Sequence, residues 1–201
     1  MSDVRHTLIL GSSSRYRQEL LKRLKIPFLS ISPEIDETPK AGEAPLALAL
    51  RLSKEKALAI AQLHPNAIVI GADQVASLGD TPIGKPGSRQ AARDQLRLLS
   101  GQTVVFHSAM TVIHKGSIQT IDTPTTCVFR PLSAQAIARY VDIDEPWDTA
   151  GAAKAECLGI ALMESMTSND PTAIIGLPLI TLTSMLRHVG LDPLEQAHLD
   201  L

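Results

Sequence analysis

Residues 68–74 read IVIGADQ, a run of apolar and small residues that ends in one carboxylate and one amide. An apolar run of this length is typical of a strand buried on both faces of a sheet, and we predict a central strand over residues 67–72. Open α/β sheets bind ligands at the carboxyl ends of their strands. Asp73 is therefore expected at the mouth of a functional cleft, although an aspartate that only forms a turn after a strand fits the same pattern.

The segments around this strand alternate between strand and helix patterns, which favours an α/β fold. Ser14 and Ser133 are suited to cap the helices that follow them, and a proline opens the longest predicted helix. The predicted strands cover residues 7–10, 28–32, 67–72, 103–129 with a hairpin turn at 115–116, and 160–163. The predicted helices begin after Ser14, cover residues 45–63, 88–99 and 133–141, and include a last segment ending at His188.

Composition limits the possible functions. With 201 residues and 44% hydrophobic content, the chain can bury a core and is expected to form one domain over residues 1–201. Its net charge of −2, with interspersed acids and bases, provides no basic surface for a nucleic acid polymer. No apolar run approaches the roughly 20 residues that span a membrane, and residues 1–7 lack the core of a signal peptide, so a cytoplasmic protein is expected. Cys127 and Cys157 are isolated, which suggests neither a zinc cluster nor a disulfide framework.

Residues 12–17 combine hydroxyl groups with a cation at the predicted start of a helix. Ser12, Ser14 and Arg17 follow the pattern Ser-x-Ser-x-x-Arg. The free N–H groups of a helix N-terminus attract anions, and a guanidinium can bind a phosphate through two hydrogen bonds. This segment is a candidate phosphate site, and a capping serine followed by a solvated arginine is the structural alternative.

Four further charged residues are candidates for the same site. Lys56 lies on the apolar stripe of the longest predicted helix, so its ammonium either points into a cleft or reaches water along the edge of the stripe. A buried Asp73 needs a cation, and Glu37 in an acidic turn could complete the oxygen ligation of magnesium or manganese. Lys85 lies in a stiff loop containing glycine and proline, although an ordinary exposed lysine fits the same pattern.

Eight short segments, taken in order, resemble the Maf family of nucleoside triphosphate pyrophosphatases. They are LGSSSRYRQELL (10–21), PEIDET (33–38), Lys56, GADQ (71–74), GKP (84–86), LLSG (98–101), AG (150–151) and GLPL (176–179). The resemblance covers nearly the whole chain and implies a mixed, twisted α/β sheet in two lobes around a central cleft, related to the inosine triphosphatases, and a homodimer. It also implies the reaction, in which water attacks a nucleoside triphosphate between the α and β phosphates and releases a nucleoside monophosphate and pyrophosphate.

The resemblance implies a role for each matching position. Asp73 falls on the proton acceptor of the family, and Glu37 falls on a residue that assists the metal or the water. The positions that contact the triphosphate carry Ser12, Arg17, Lys56 and Lys85. The implied cofactor is a divalent cation, magnesium, manganese or cobalt, with Asp73 and Glu37 as its ligands. The division of base and ligand roles between these two carboxylates stays open, because a carboxylate tied to a metal is a poorer base.

The resemblance also indicates a substrate. Gln74 and Glu156 stand where the branch acting on dTTP and UTP usually has threonine and glutamine, and with Tyr16 they resemble the branch that hydrolyses 7-methyl-GTP. Methylated guanine is positively charged, so an aromatic face and a carboxylate would favour it. Tyr16 and Arg15 depart from that branch, which usually has tryptophan and proline there. Three alternatives stay open: a dTTP or UTP pyrophosphatase, a nucleotide-binding regulator of division or stress signalling without hydrolysis, and a phosphatase that releases orthophosphate.

Overall fold

The computed structural model describes residues 7–196, which form seven strands and six α-helices. Residues 1–6, most of the segment predicted to lack a signal peptide core, and residues 197–201 lie outside the described part. The strands are β1 (Leu8–Gly11), β2 (Phe28–Ile31), β3 (Ile68–Leu78), β4 (Thr81–Ile83), β5 (Thr103–His114), β6 (Ser117–Phe129) and β7 (Met163–Thr167). The helices are α1 (Arg15–Lys22), α2 (Pro45–Leu63), α3 (Arg89–Leu99), α4 (Ala134–Asp144), α5 (Leu179–His188) and α6 (Pro193–Gln196). None of these helices is both long enough and apolar enough to cross a membrane.

The seven strands form one mixed sheet. Its strand order is β2-β1-β3-β5-β6-β7, and β4 pairs with the last part of β3. β1 runs parallel to β2 and to β3, whereas β3, β5, β6 and β7 pair antiparallel in that order. Helices α1 and α2 supply the crossovers that the parallel strands need. The expected mixed α/β sheet is therefore confirmed.

Helix α2 packs very closely over β3, and Gly71 makes this possible. A Cβ atom at Gly71 would lie 2.3 Å from the Ser53 carbonyl oxygen and 2.5 Å from the Ala57 backbone nitrogen. No side chain fits at such distances, so only glycine permits this separation of helix and strand. The close approach brings Lys56 on α2 to Asp73, which lies two residues after Gly71 on the same face of β3.

Strand β3 is longer than predicted. It continues past residue 72 to Leu78 because β5 pairs with it without interruption as far as Ser77. Its parallel neighbour β1 stops earlier, at Gly11 opposite Gly71. The prediction that Asp73 follows the end of this strand is therefore wrong, as is the alternative of a turn-forming aspartate. Asp73 instead lies just beyond the carboxyl end of β1, where the crevice of the parallel part of the sheet begins.

The strand predicted over residues 160–163 is also wrong. Leu158–Leu162 form a 3-10 helix, and β7 begins only at Met163. The tight turn depends on Gly159, whose N–H donates to the Asp144 carboxylate over 3.1 Å and whose added Cβ would lie 2.5 Å from the Lys154 carbonyl oxygen. The sequence predictions also contain no counterpart of the short elements β4 and α6.

The predicted helix starts are confirmed, and serine caps explain them. Ser14, Ser88 and Ser133 each accept a hydrogen bond from the backbone N–H three residues later. Helix α2 has the predicted bounds, with its proline in the first turn. The hairpin turn at residues 115–116 is confirmed by positive φ angles of 47° and 82°. Helix α4 runs three residues beyond the predicted end, to Asp144.

Two large clusters of buried side chains support the sheet. One joins β1, α1 and α5, and the other joins α3, α4 and the β5–β6 hairpin. Cys127 lies in the second cluster, whereas Cys157 is exposed, and both are free thiols. Ile175 packs on the first cluster and Ile83 belongs to the second. Both residues also border one cavity, which therefore lies between the two clusters.

Candidate active site

A cavity of about 740 Å³ lies between the two core clusters, bordered by Ile175 and Ile83. Pockets of this size hold small-molecule ligands. All the site residues predicted from the sequence line this cavity except Glu156. Those that line it are Ser12, Tyr16, Arg17, Glu37, Lys56, Asp73, Gln74 and Lys85.

Lys56 is at the centre of the charged group. Its Nζ lies 2.7 Å from Oδ1 of Asp73 and 2.9 Å from Oε2 of Glu37. Lys56 and Asp73 are each only 6% exposed, so this lysine does not reach along α2 to water. A buried ammonium needs an anion and a buried carboxylate needs a cation, and here each satisfies the other.

The two carboxylates fit a hard divalent cation that shares its coordination with a substrate. The position of Lys56 shows that oxygens of Asp73 and Glu37 can face a single positive charge. Among residues 7–196, no group of three or more histidine, cysteine, aspartate or glutamate side chains is placed to hold a metal. A magnesium or manganese ion bound by one or two carboxylates and completed by water and phosphate oxygens needs no larger protein cluster.

The turn between β1 and α1 presents polar groups to the cavity. Ser12 Oγ accepts hydrogen bonds from the Ser14 backbone N–H over 3.2 Å and from Arg17 Nη1 over 3.4 Å. Ser14 caps α1 by accepting from the Arg17 backbone N–H over 3.4 Å. These bonds hold the turn at the N-terminus of an eight-residue helix, where partial positive charge favours an anion.

Arg17 is a half-buried cation with neutral partners. Its Nε donates to the Gly176 carbonyl over 3.0 Å, and it forms no ion pair with any carboxylate in the described part of the chain. Burial lowers the pKa of the Arg17 guanidinium, and the charges of Asp73 and Glu37 oppose that shift. A guanidinium in these surroundings is suited to a phosphate, which supplies both charge and acceptors.

Lys85 adds a cation from the loop between β4 and α3. It is exposed and lines the cavity, and its ammonium makes no hydrogen bond or ion pair with the residues that the structure describes. The loop is held at two points, because Gln95 Nε2 donates to the Gly84 carbonyl and the Gly87 N–H donates to the Trp147 carbonyl, each over 3.0 Å. A point charge on a restrained loop is suited to a phosphate oxygen.

Gln74 holds a turn beside the cavity. Its Nε2 donates to the carbonyls of Ala173 and Ile174 over 3.1 and 2.9 Å and lies 3.0 Å from Ser108 Oγ. The buried Ser108 hydroxyl donates to the same Ala173 carbonyl over 2.7 Å. The next residue after this turn is Gly176, whose carbonyl accepts the hydrogen bond from Arg17 Nε. Gln74 and Ser108 thus support the arginine, a contribution that sequence reasoning missed because the turn lies about a hundred residues away along the chain.

The residues predicted to select the base do not all lie together. Tyr16 lines the cavity, and its hydroxyl donates to Asp148 Oδ2 over 3.1 Å. Glu156 is exposed and does not line the cavity. The carboxylate beside Tyr16 is that of Asp148, which was not among the predicted site residues. Its only signal in the sequence is its place two residues before AG (150–151), one of the segments that carry the Maf resemblance.

Comparison with known proteins identifies the family of this chain. A family model described as Maf-like protein matches residues 7–189. The chain belongs to the Maf family. Two Maf relatives named 7-methyl-GTP pyrophosphatase match over nearly their whole length. The protein from Bordetella avium (strain 197N) is 63% identical over 94% of this chain and 95% of its own. The protein from Cupriavidus metallidurans is 56% identical over 94% and 96% of the two chains.

A solved structure shares the fold of this Maf chain. A HAM1 protein from Coxiella burnetii matches with a TM-score of 0.51, covering 91% of this chain and 99% of that chain. The two sequences are only 14% identical, so the likeness concerns the fold alone. The mixed α/β fold that the Maf resemblance implied is thereby confirmed.

Proposed function

We propose that this protein is a metal-dependent nucleoside triphosphate pyrophosphatase whose substrate is 7-methyl-GTP. The observation that carries the proposal is one cavity in which Lys56, Asp73 and Glu37 form a cluster beside the cations Arg17 and Lys85. Membership of the Maf family supports it, as does the name that relatives at 52% to 63% identity share.

The charge of the cavity supports a polyphosphate substrate and a metal. The cavity is lined by four cations, Arg15, Arg17, Lys56 and Lys85, and by three carboxylates, Glu37, Asp73 and Asp148, which gives a net charge of +1. A divalent cation would raise this charge to +3, closer to the roughly four negative charges of a triphosphate. Phosphoryl chemistry depends mainly on such positioning and charge stabilisation, so the imbalance without a metal favours the metal-dependent reaction.

The positions of the side chains support the following steps of hydrolysis. A water attacks a phosphorus of the α–β anhydride, the bridging P–O bond breaks, and a nucleoside monophosphate and pyrophosphate leave. Asp73 accepts the proton that the water loses, through Oδ2, which has no hydrogen-bond partner within residues 7–196. Arg17 and Lys85 stabilise the phosphate oxygens. A divalent cation held by Asp73 and Glu37 would supply further charge stabilisation as a Lewis acid.

The choice of 7-methyl-GTP is supported by the relatives and by Tyr16. Methylation of N7 places a positive charge on the guanine ring, and the faces of aromatic side chains attract cations. The ring of Tyr16 is half-buried at the cavity wall. The uncharged bases of dTTP and UTP would gain no such attraction, so we expect them to be poorer substrates.

One assay tests the proposal. Purified protein is incubated with 7-methyl-GTP, GTP, dTTP or UTP and magnesium or manganese, and the released anion is identified. We expect pyrophosphate and a nucleoside monophosphate, formed fastest from 7-methyl-GTP. Orthophosphate would indicate a phosphatase, a preference for dTTP would reassign the substrate, and tight binding without turnover would indicate a regulator. If none of the four nucleotides yields pyrophosphate, the proposal is refuted.

The role of Asp73 has a test of its own. Asp73→Asn keeps the size of the side chain and an acceptor for Lys56, but it cannot take up the proton. We expect turnover to fall by roughly 10² to 10⁴-fold, with an unchanged circular dichroism spectrum. Turnover within a factor of three of the unaltered protein would contradict this role.

We also propose, from the resemblance, that the cation is magnesium, manganese or cobalt and that the protein is a cytoplasmic homodimer. Removal of metal with a chelator should abolish turnover, and adding one of the three ions back should restore it. Light scattering should give twice the mass of one chain. A metal-independent rate or a monomeric mass would contradict the respective proposal.

A further inference from the structure

A second polar cluster lies on the cavity wall, apart from the Lys56 group. Tyr16 in α1 and Asp148, 132 residues later, both line the cavity. The Tyr16 hydroxyl donates to Asp148 Oδ2 over 3.1 Å, and Lys154 Nζ lies 3.2 Å from Asp148 Oδ1. Asp148 thus ties α1 to a distant segment of the chain at the edge of the site.

Lys154 anchors the Asp148 carboxylate. Its side chain is 8% exposed, and its Nζ also donates to the carbonyls of Asp144 and Glu145 over 2.8 and 3.1 Å. Burial opposes the charge of Lys154, but Asp148 outweighs burial and raises the pKa of the lysine. Burial likewise opposes ionisation of Asp148, but hydrogen bonds from Lys154 and Tyr16 outweigh it and lower the pKa of that carboxyl. The pair is therefore charged at neutral pH, and the carboxylate is held in one position.

The Tyr16 ring is restrained on one face as well as at its hydroxyl. The Arg15 guanidinium lies 4.9 Å from the centre of the ring, and its Nη2 donates to the Tyr16 hydroxyl over 3.0 Å. With Arg15 on one face, a base can stack only on the other. A tyrosine has two soft torsions, and the hydrogen bond to Asp148 restricts both. A ring held in this way can bind a base with little loss of side-chain entropy.

We propose that Asp148, anchored by Lys154, is a positioning residue that holds the Tyr16 ring as one wall of the base-binding end of the cavity. This inference rests on the proposed function and adds the group that fixes the base. The carboxylate next to Tyr16 belongs to Asp148, which lines the cavity, whereas Glu156 does not line it. Because other residues hold the triphosphate, loss of Asp148 should weaken binding of the base and leave the chemistry at Asp73 largely intact.

Kinetics of single and double variants test the inference. Asp148→Ala should raise the KM for 7-methyl-GTP about tenfold and change kcat less than threefold, as expected when one hydrogen bond to a charged group is lost. Tyr16→Phe keeps the ring but loses the hydroxyl, so it should raise KM by a similar factor. The double variant should add little to either change, because both remove the same interaction. Asp148→Asn, which keeps an acceptor for Tyr16, should restore part of the affinity.

Two controls separate positioning from a general structural defect. Inorganic tripolyphosphate has the tail but no base, so its inhibition constant should be the same for Asp148→Ala and the unaltered protein. Asp142→Ala is the matched control, because Asp142 is 46% exposed and paired with Arg93, much as Asp148 is 45% exposed and paired with Lys154. We expect Asp142→Ala to leave the KM for 7-methyl-GTP unchanged. Equal weakening of tripolyphosphate and 7-methyl-GTP, or multiplicative effects of the two single variants, would overturn the inference.

Calorimetric titration with 7-methyl-GTP makes the test independent of turnover. If the unaltered protein binds the nucleotide without releasing pyrophosphate, the proposed function fails, and the dissociation constants of the variants still test Asp148. If Asp148→Ala does not fold, Tyr16→Phe and Asp148→Asn replace it, because both keep nearly all of the packing. An unchanged dissociation constant in Tyr16→Phe overturns the inference even where turnover confirms the proposed function.

Discussion

Replacing Lys56 by methionine removes its charge and keeps its length, so this change isolates the buried ion pair. The side chains of Lys56 and Asp73 are 7% and 9% exposed, and their charged atoms lie 2.7 Å apart. Loss of one partner of a buried pair costs about 3 to 5 kcal/mol, because the other charge stays buried without a partner. The ion pair between Lys56 and Glu37 contributes little to this loss of stability, because the Glu37 side chain is 57% exposed and water can replace the lysine there. Asp73 borders a cavity that water can enter, so we expect Lys56→Met to lower the free energy of unfolding by about 3 kcal/mol, the lower end of this range.

Urea unfolding measures this loss against two further variants. Lys54→Met is the matched control, because Lys54 is an exposed lysine of the same helix, and it should change the free energy of unfolding by no more than about 0.5 kcal/mol. Lys56→Met combined with Asp73→Asn should recover at least about 1 kcal/mol of the loss, since no unpaired charge then remains buried. A loss below about 1 kcal/mol in Lys56→Met is the value of an exposed pair and would refute the reasoning. A double variant no more stable than Lys56→Met would refute it as well.

Two further changes test how α2 and its flanking loop are held. Glu43→Gln should lower stability at neutral pH, and this difference should shrink as the pH falls from 4.5 towards 2, because the hydrogen bond from Arg51 lowers the pKa of Glu43 from 4.5 to about 2. Urea midpoints that differ equally at pH 7 and pH 3 would contradict that assignment. Gly71→Ala should cost about 3 kcal/mol, since its Cβ would lie 2.3 Å from the Ser53 carbonyl oxygen. Gly84→Ala, whose Cβ would meet nothing within 4 Å, is the control in thermal unfolding, and equal stability of the two variants would contradict the close packing.

The parts of the fold that could be predicted are those determined within a few residues. Ser14, Ser88 and Ser133 cap helices because a serine oxygen reaches an N–H only three positions ahead. The hairpin turn at residues 115–116 likewise depends on two backbone conformations. The length of β3 could not be predicted this way, because its second half persists by pairing with β5, and no local pattern records that partner.

The charged site was predictable as a set of candidates and not as an arrangement. A lysine on an apolar stripe and an aspartate after an apolar run each require a partner, which made Lys56 and Asp73 identifiable one at a time. Their contact depends on the missing side chain of Gly71, which lets α2 approach β3. The sequence shows this glycine, but only the packed helix shows what its lack of a side chain makes possible.

The base-binding end shows most clearly why charge and composition alone cannot place a site. Asp148 and Glu156 are both carboxylates in the irregular segment between α4 and β7, on either side of AG (150–151). Between them the chain turns at Gly151 and Ala152, whose φ angles are 70° and 49°, and a side chain at Gly151 would meet the Phe106 ring at 3.0 Å. This turn lies between the carboxylate that lines the cavity and the one that does not, so the positive φ angles rather than the charges separate the two. A variant that relaxes the turn, Gly151→Ala, should therefore weaken 7-methyl-GTP binding more than Glu156→Gln does, and the opposite order in calorimetric titration would return the base-selecting role to Glu156.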